Sequence, residues 1–203
     1  MALVRHAEHE LSAGGAAPYP VGATVLVVPV PEAEPVVGGQ RALFDPSARF
    51  GVTAHVTVLY PFLPRPEIGE GTVAELAGLF AAHQPFEAAF TGCARFPGLL
   101  YLGPEPAEPF AALTRSVTGR WPALRPYGGR HGEAVPHLSV GYGDDQVLDG
   151  VESAVAPGLP FTTRVTAVDL ASFDGARWTA VSRFPLRQEP RSGGVEGDLR
   201  VRR

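Results

Sequence analysis

Two short segments of the chain share one pattern, in which a histidine, one apolar residue and a hydroxyl-bearing residue stand inside a run of strand-forming residues. The first segment reads AHVTVLYPF and the second reads PHLSVGYG. Side chains at positions i and i+2 of a strand point to the same face of its sheet. His55 therefore shares a face with Thr57, and His137 shares one with Ser139, while the apolar residues between them point to the other face.

The stretches around the two motifs also repeat. The run TVLVVPVPEAEP is similar to LLYLGPEPAEP, and each is followed by a helical segment, a loop and then a histidine motif. After each motif the i, i+3 and i+4 spacing of apolar residues predicts a helix, over residues 72–83 and 145–155. A strand that begins with Pro-Phe follows each helix, within residues 85–98 and 160–175. The repeated unit is strand, helix, histidine strand, helix, strand.

A duplicated unit of this kind predicts an α+β fold with two lobes. We expect two antiparallel sheets to line a central cleft, with the helices outside. The domain is predicted over residues 21–187, between a flexible N-terminal arm (1–20) and a flexible C-terminal tail (188–203), because both ends are polar and contain glycine.

The four polar residues of the motifs suit acid–base chemistry if the two copies face each other. An imidazole has a pKa near ~6.5, so it can accept or donate a proton at neutral pH. We expect His55 and His137 to act as base and acid on opposite sides of one reacting phosphorus. The hydroxyl groups of Thr57 and Ser139 can donate hydrogen bonds to the phosphoryl oxygens. A ribose 2′,3′-cyclic phosphate fits this set, and no metal or cofactor is expected.

A loop that precedes the second motif holds three further candidates for substrate contact. Tyr127, Arg130 and His131 lie in a glycine-rich loop that could fold over the cleft and contact the substrate, although an ordinary surface loop is the alternative. Tyr60 and Tyr142 each follow a motif histidine by five residues. Strand alternation places them on the opposite face from the histidines, in the core.

Composition narrows the classes of partner. The net charge of −4 and the pI near 5.9 argue against a protein that coats long nucleic acid, although a nucleotide remains open. Every basic residue is arginine, so phosphate would be held by guanidinium groups. Cys93 is the only cysteine, which excludes an internal disulfide, and its alternating context predicts a buried structural thiol.

The remaining expectations concern location, metal and assembly. We expect a cytoplasmic monomer that does not contact a membrane, since the sequence has neither a secretory signal nor an apolar run of roughly 18–20 residues. No Asp/His cluster has the spacing of a metal site. Asp144 and Asp145 are instead expected at the start of a helix.

The two motifs resemble the paired H-x-[ST] signatures of the 2H phosphoesterase superfamily, in its 2′-5′ RNA ligase-like branch. LLYLGPEPAEPFAAL and the proline before the second histidine are also similar to that branch, and the resemblance covers roughly residues 22–186. It implies a two-lobed α+β fold, metal-independent cyclic phosphodiester hydrolysis, a role in RNA processing and, in some members, reversible joining of 2′-5′ RNA linkages. The second motif has serine where threonine is frequent, which keeps the hydroxyl group.

The resemblance also implies that the first histidine is the proton donor and the second the acceptor, as is common in bacterial members. The near symmetry of the two motifs leaves these roles open. A non-catalytic module that binds a nucleotide or an RNA end in the same cleft is the alternative function.

Overall fold

Two four-stranded antiparallel sheets and five α-helices make up the computed structural model, which describes residues 19–129 and 135–187. The strands are β1 (Thr24–Pro29), β2 (His55–Leu59), β3 (Phe86–Phe96), β4 (Leu99–Glu105), β5 (Leu138–Tyr142), β6 (Phe161–Val165), β7 (Ala167–Phe173) and β8 (Trp178–Pro185). The helices are α1 (Glu34–Phe44), α2 (Pro46–Arg49), α3 (Glu70–Ala81), α4 (Glu108–Arg120) and α5 (Asp145–Val155). The α+β fold with two antiparallel sheets is therefore confirmed.

Each half of the chain contributes strands to both sheets. The first sheet has the order β2-β1-β7-β8, and the second has the order β5-β4-β3-β6. The first half thus supplies β1 and β2 to the first sheet but sends β3 into the second. In the second half β4, β5 and β6 lie in the second sheet, while β7 and β8 lie in the first.

One predicted strand is wrong in its extent. Residues 160–175 were expected to form a single strand, but β6 lies at the edge of the second sheet and β7 lies inside the first. The physical reason is that the two parts of this segment pair with different strands, β6 with β3 and β7 with β1. The start of β3 pairs antiparallel with its own counterpart β6, so Phe86 lies opposite Val165 and Phe90 opposite Phe161.

The helices cover one side of both sheets and close a single main core. Helices α1 and α5 pack against β5 of the second sheet, whereas α4 packs against β2 and α3 against β8 of the first. Each histidine strand is therefore covered by a helix of the other half. The main core draws buried residues from both sheets, among them Leu26, Val56, Leu102 and Leu138.

Helix α5 shows why these segments become helices. Its buried residues Leu148, Val151 and Val155 follow the spacing of one helix face. The side chain of Asp144 accepts a hydrogen bond from the backbone N–H of Val147 at 3.0 Å, which caps the first turn. The predicted helix over 145–155 has the bounds expected, and Asp144 lies at a helix start as expected.

Candidate active site

Each histidine strand contains a β-bulge directly after its hydroxyl-bearing residue. Thr57 lies opposite Val27, yet Leu59 lies opposite Leu26, so Val58 has no partner across the pair. The same irregularity occurs in β5, where one extra residue follows Ser139. Bulges re-aim side chains and are frequent beside active sites. The duplication therefore includes the local distortion of the strand as well as the residues of the motif.

The motif side chains lie on the faces predicted for them. Val56 and Leu138, which separate each histidine from its hydroxyl residue, are fully buried in the main core. The four polar residues His55, Thr57, His137 and Ser139 are all partly exposed. We call the side of each sheet that points away from the main core its open face, and these four residues lie there.

The prediction for Tyr60 and Tyr142 is wrong because it assumed unbroken alternation. The extra residue of the bulge reverses the faces of all residues that follow it. Tyr60 therefore packs on the open face of the first sheet, in a second apolar cluster with Val25 and Val27. Tyr142 lies opposite Leu99. The neighbouring Leu100 points into the main core, so Leu99 and Tyr142 point to the open face of the second sheet.

Both imidazoles are oriented by the same hydrogen bond. The Nδ1 atom of His55 lies 2.7 Å from the carbonyl oxygen of Thr53, and the Nδ1 atom of His137 lies 2.7 Å from that of Val135. A carbonyl oxygen can only accept, so Nδ1 carries the proton in both rings. Nε2 is then the nitrogen that can exchange a proton with a substrate, as a base when neutral and as an acid when protonated.

The two histidine strands lie against each other. β2 and β5 are edge strands of different sheets, and they are in contact. His137 is close enough to His55 for its charge to lower the pKa of the His55 ring. The fold thus brings together the two imidazoles that the sequence places far apart along the chain.

Aromatic rings surround His137. The ring centroid of Phe96 lies 5.4 Å from that of His137, and Tyr101 lies 5.5 Å from it, both with edge-on geometry. Tyr101 also stacks on Phe96 at 4.3 Å. Sequence reasoning missed both residues. The pairing register of β4 and β5 brings Tyr101 to the site, because it places Tyr101 directly opposite Ser139.

Tyr127 joins the two motifs. Its ring stacks on His137 at 6.3 Å, and its backbone N–H donates a 2.7 Å hydrogen bond to the carbonyl of Tyr60, just after the first motif. Its backbone has φ 51° and ψ 32°, a left-handed conformation that costs free energy for any residue other than glycine. Arg130 and His131, the other two candidates of this loop, lie outside the described residues.

A buried ion pair lies behind His55. Arg41 and Asp45 are each 2% exposed, and two guanidinium nitrogens contact one carboxylate oxygen of Asp45 at 2.8 and 2.9 Å. The pKa of His55 is lowered to about 4, first because burial disfavours the charged ring and second because the Arg41 cation repels it. Sequence reasoning did not single out either residue.

No metal cluster and no membrane-spanning helix occur within residues 19–129 and 135–187. That part of the chain holds no group of three or more His, Cys, Asp or Glu side chains arranged for a metal ion. None of its helices combines the length and apolarity needed to cross a bilayer. Cys93 is partly buried against the main core, and burial raises the pKa of its thiol, as befits a structural cysteine.

Comparison with solved structures identifies the same fold elsewhere. LigT of E. coli complexed with NADP+ superposes with a TM-score of 0.51 at 18% sequence identity, covering 84% of this chain and 100% of that one. LigT complexed with 3′-AMP gives a TM-score of 0.50 at 18% identity, covering 82% of this chain and 98% of that one. A protein described only as a phosphoesterase gives a TM-score of 0.50 at 16% identity, covering 83% and 100%.

The sequence itself matches a family model. No curated protein is similar enough to match the chain. The family model of the 2′-5′ RNA ligase superfamily, however, matches residues 28–177, a range that contains both histidine motifs and the helices that cover them. This match extends over most of the chain, so the protein belongs to the 2′-5′ RNA ligase superfamily, within the 2H phosphoesterases that its paired motifs resemble.

Proposed function

We propose that the protein is a metal-independent cyclic phosphodiesterase that opens 2′,3′-cyclic phosphates at the ends of RNA or on nucleotides. The observation that carries this proposal is the equivalent setting of the two imidazoles. Each stands at the start of a bulged strand on an open face, and each is held through Nδ1 by the carbonyl of the residue two positions earlier. Two rings held by the same backbone contact, beside one another, are the arrangement that paired acid–base catalysis needs.

The reaction is an in-line displacement at phosphorus. The Nε2 atom of one neutral ring takes a proton from water as the water oxygen bonds to phosphorus. The Nε2–H of the other, protonated ring gives its proton to the ribose oxygen as the phosphorus–oxygen bond of the cyclic ester breaks. Thr57 and Ser139 donate hydrogen bonds to the oxygens on which negative charge develops. The product is a ring-opened phosphate monoester with a neighbouring hydroxyl group.

A nucleotide substrate is supported by the surroundings of the site. Phe96, Tyr101 and Tyr127 offer aromatic surface beside His137, and nucleobases stack on such rings with about 1–3 kcal/mol per base. LigT, which has this fold, has been crystallised with 3′-AMP and with NADP+, both of which are nucleotides. The same site would join RNA ends through a 2′-5′ linkage if a ribose hydroxyl replaced water, because catalysis lowers the barrier in both directions.

Single and double histidine variants test this mechanism. We expect His55→Ala and His137→Ala each to lower kcat by at least about 10²–10⁴-fold, the usual size of an acid or base contribution. The double variant should be little worse than either single one, because both proton transfers belong to one step. Thr57→Ala and Ser139→Ala should cost less, on the order of 10–10³-fold, since each removes one hydrogen bond to a developing charge.

The assay uses a panel of nucleoside 2′,3′-cyclic phosphates and 2′-5′ dinucleotides with EDTA present. His83→Ala is the matched control, because the Nε2 atom of His83 contacts the Ser116 hydroxyl at 2.8 Å, away from the motifs. Loss of turnover in EDTA with recovery on adding a divalent metal would assign the protein to a different class. Turnover unchanged in either single motif-histidine variant would refute the two-histidine mechanism. Nucleotide binding without any turnover by the unmodified protein would favour the binding module instead.

A further inference from the structure

The bulge of the first histidine strand interrupts the regular pairing of β2 with β1. Thr57 and Leu59 both have partners in β1, but Val58 between them has no residue opposite it. Val58 is 3% exposed, so its backbone is shielded from water. A buried carbonyl oxygen that the strand ladder does not use needs a donor from elsewhere in the chain. The bulge therefore depends on a group outside the sheet.

A threonine of the second half supplies this donor. The Oγ1 hydroxyl of Thr114, in the middle of α4, donates to the carbonyl oxygen of Val58 at 2.8 Å. A threonine inside a helix ordinarily turns its hydroxyl toward a carbonyl of the preceding turn. Here the corresponding distance, to the carbonyl oxygen of Phe110, is the longer one at 3.4 Å. The main hydrogen bond of this hydroxyl is thus made to the strand and not to its own helix.

The chain that follows α4 holds the end of the same strand. The ring of Trp121 lies edge-on to Phe62, with centroids 5.2 Å apart. The backbone N–H of Tyr127 donates to the carbonyl oxygen of Tyr60 at 2.7 Å. The backbone on both sides of Leu59 is therefore fixed by the second half, through the part of the chain that precedes the second histidine motif.

The geometry of the bulge decides which way Thr57 points. A bulge re-aims the side chains beside it, and a slip by one residue moves a side chain to the other face of the sheet. The residues after the bulge are anchored, because the Tyr60 ring lies 6.1 Å from that of Tyr19 and 6.2 Å from that of Trp178 in the second apolar cluster. A change at Val58 therefore falls on the strand before it, where Thr57 presents its hydroxyl group on the open face.

We propose that Thr114 is a positioning residue, whose hydrogen bond to Val58 fixes the bulge of β2 and thereby the direction in which Thr57 offers its hydroxyl group to the substrate phosphate. The inference rests on the proposed function, in which Thr57 donates to the phosphoryl oxygens, and it adds a residue of the opposite half. Thr114 acts through Thr57 and takes no part in the proton transfers.

Replacement of the hydroxyl at nearly constant volume tests the positioning role. In Thr114→Val we expect kcat for nucleoside 2′,3′-cyclic phosphates to fall on the order of 10–10²-fold, because the group that meets the phosphate is misplaced. Thr114→Ser keeps the donor and should retain most of the unmodified rate. Thr118→Val is the matched control, since the Thr118 hydroxyl lies one turn later and donates within its own helix, at 3.1 Å to the Thr114 carbonyl. An equal loss in Thr114→Val and Thr114→Ser would overturn the inference.

A double-mutant cycle separates positioning from a general loss of stability. If Thr114 acts through Thr57, Thr114→Val should lower kcat little further in a protein that already carries Thr57→Ala. In a protein that carries Ser139→Ala the same substitution should keep its full effect. A loss of the same size in both backgrounds would show that the helix contact only stabilises the fold, and would overturn the proposal.

NMR of the backbone amides gives a readout that does not depend on turnover. The amide resonances of Thr57 and Leu59 should shift in Thr114→Val and return toward their original positions in Thr114→Ser, whereas that of Ser139 should stay in place. Unchanged Thr57 and Leu59 resonances would overturn the inference even if the protein proves inactive on every cyclic phosphate. An unmodified protein that turns over these substrates, with Thr114→Val equally active, would refute this inference alone and leave the proposed function standing.

Discussion

The low pKa of His55 makes the stability of the whole fold depend on pH in a defined window. Between about pH 4 and pH 6.5 the unfolded chain binds a proton at this position and the folded chain does not. The free energy of unfolding must therefore fall as the pH drops from 6.5 toward 4. A pKa of 6.5 unfolded and about 4 folded makes unfolding easier by at most about 2 kcal/mol at pH 5 than at pH 7.5. The partial exposure of the ring makes this an upper value.

Urea unfolding followed by circular dichroism at those two pH values measures the effect. The variant for comparison is His55→Asn, because an asparagine amide can still donate to the carbonyl of Thr53. Groups outside the contacting pair His55 and His137 contribute equally to both proteins, so the difference between their pH dependences reports on this pair, led by His55. We expect the variant to lose less stability than the unmodified protein on acidification, by up to about 2 kcal/mol. Equal losses in the two proteins would show that the ring is not held neutral in the folded state.

Three further predictions concern the loop, the packing and the metal. Tyr127→Gly should lower kcat/KM by about 10-fold or more, because the ring beside His137 is lost. The free energy of unfolding measured in urea should not fall, since glycine accepts the left-handed backbone. Gly143→Ala should destabilise the fold by about 1–3 kcal/mol, because a Cβ there would lie 2.7 Å from a methyl group of Val147. Gly150→Ala in α5 is the control: its added Cβ would have no atom within 4 Å, so it should stabilise the fold by up to about 1 kcal/mol. Dialysis against EDTA should leave both the melting temperature and the turnover unchanged, and a fall in either would contradict the proposed class.

The local part of the site follows from the sequence because strand alternation is a short-range rule. His55 and Thr57 are two residues apart, so any extended conformation puts them on one face, whatever the rest of the chain does. The same rule failed for Tyr60, only three residues further on. The bulge at Val58 depends on the register with β1 and on the hydroxyl of Thr114, which donates to the Val58 carbonyl at 2.8 Å from α4. Neither partner is close in sequence to the bulge.

The contribution of both halves to each sheet was hidden for a similar reason. Residues 160–175 have one continuous strand-like pattern, and only the symmetric pairing of β6 with β3 requires the chain to leave one sheet and enter the other. The repeat in the sequence predicted two copies of a unit correctly. It did not contain the information that each sheet is completed by strands from the other half.

Arg41 illustrates what a sequence cannot distinguish on its own. An arginine and an aspartate four residues apart on a helix are ordinarily an exposed pair worth about 0.2–0.5 kcal/mol. Here the pair is buried because α1 packs against β5 of the opposite half. Removing one partner of such a pair leaves an uncompensated buried charge, which costs about 3–5 kcal/mol. The packing of α1 on β5 therefore buries a pair of residues that is usually exposed, and it places the Arg41 charge near His55.

The near symmetry of the two histidine motifs matters for the chemistry. Duplication of a histidine strand produces two equivalent imidazoles, but an in-line displacement needs one ring that is neutral and one that is protonated in the same complex. Two identical rings in close contact would compete for one proton and titrate as a pair. Burial first and the Arg41 cation second raise the free energy of the protonated form of the His55 ring. Arg41 is buried near His55, whereas Arg115 at the equivalent position of the second half forms an exposed pair, so the surroundings of the two rings are not identical.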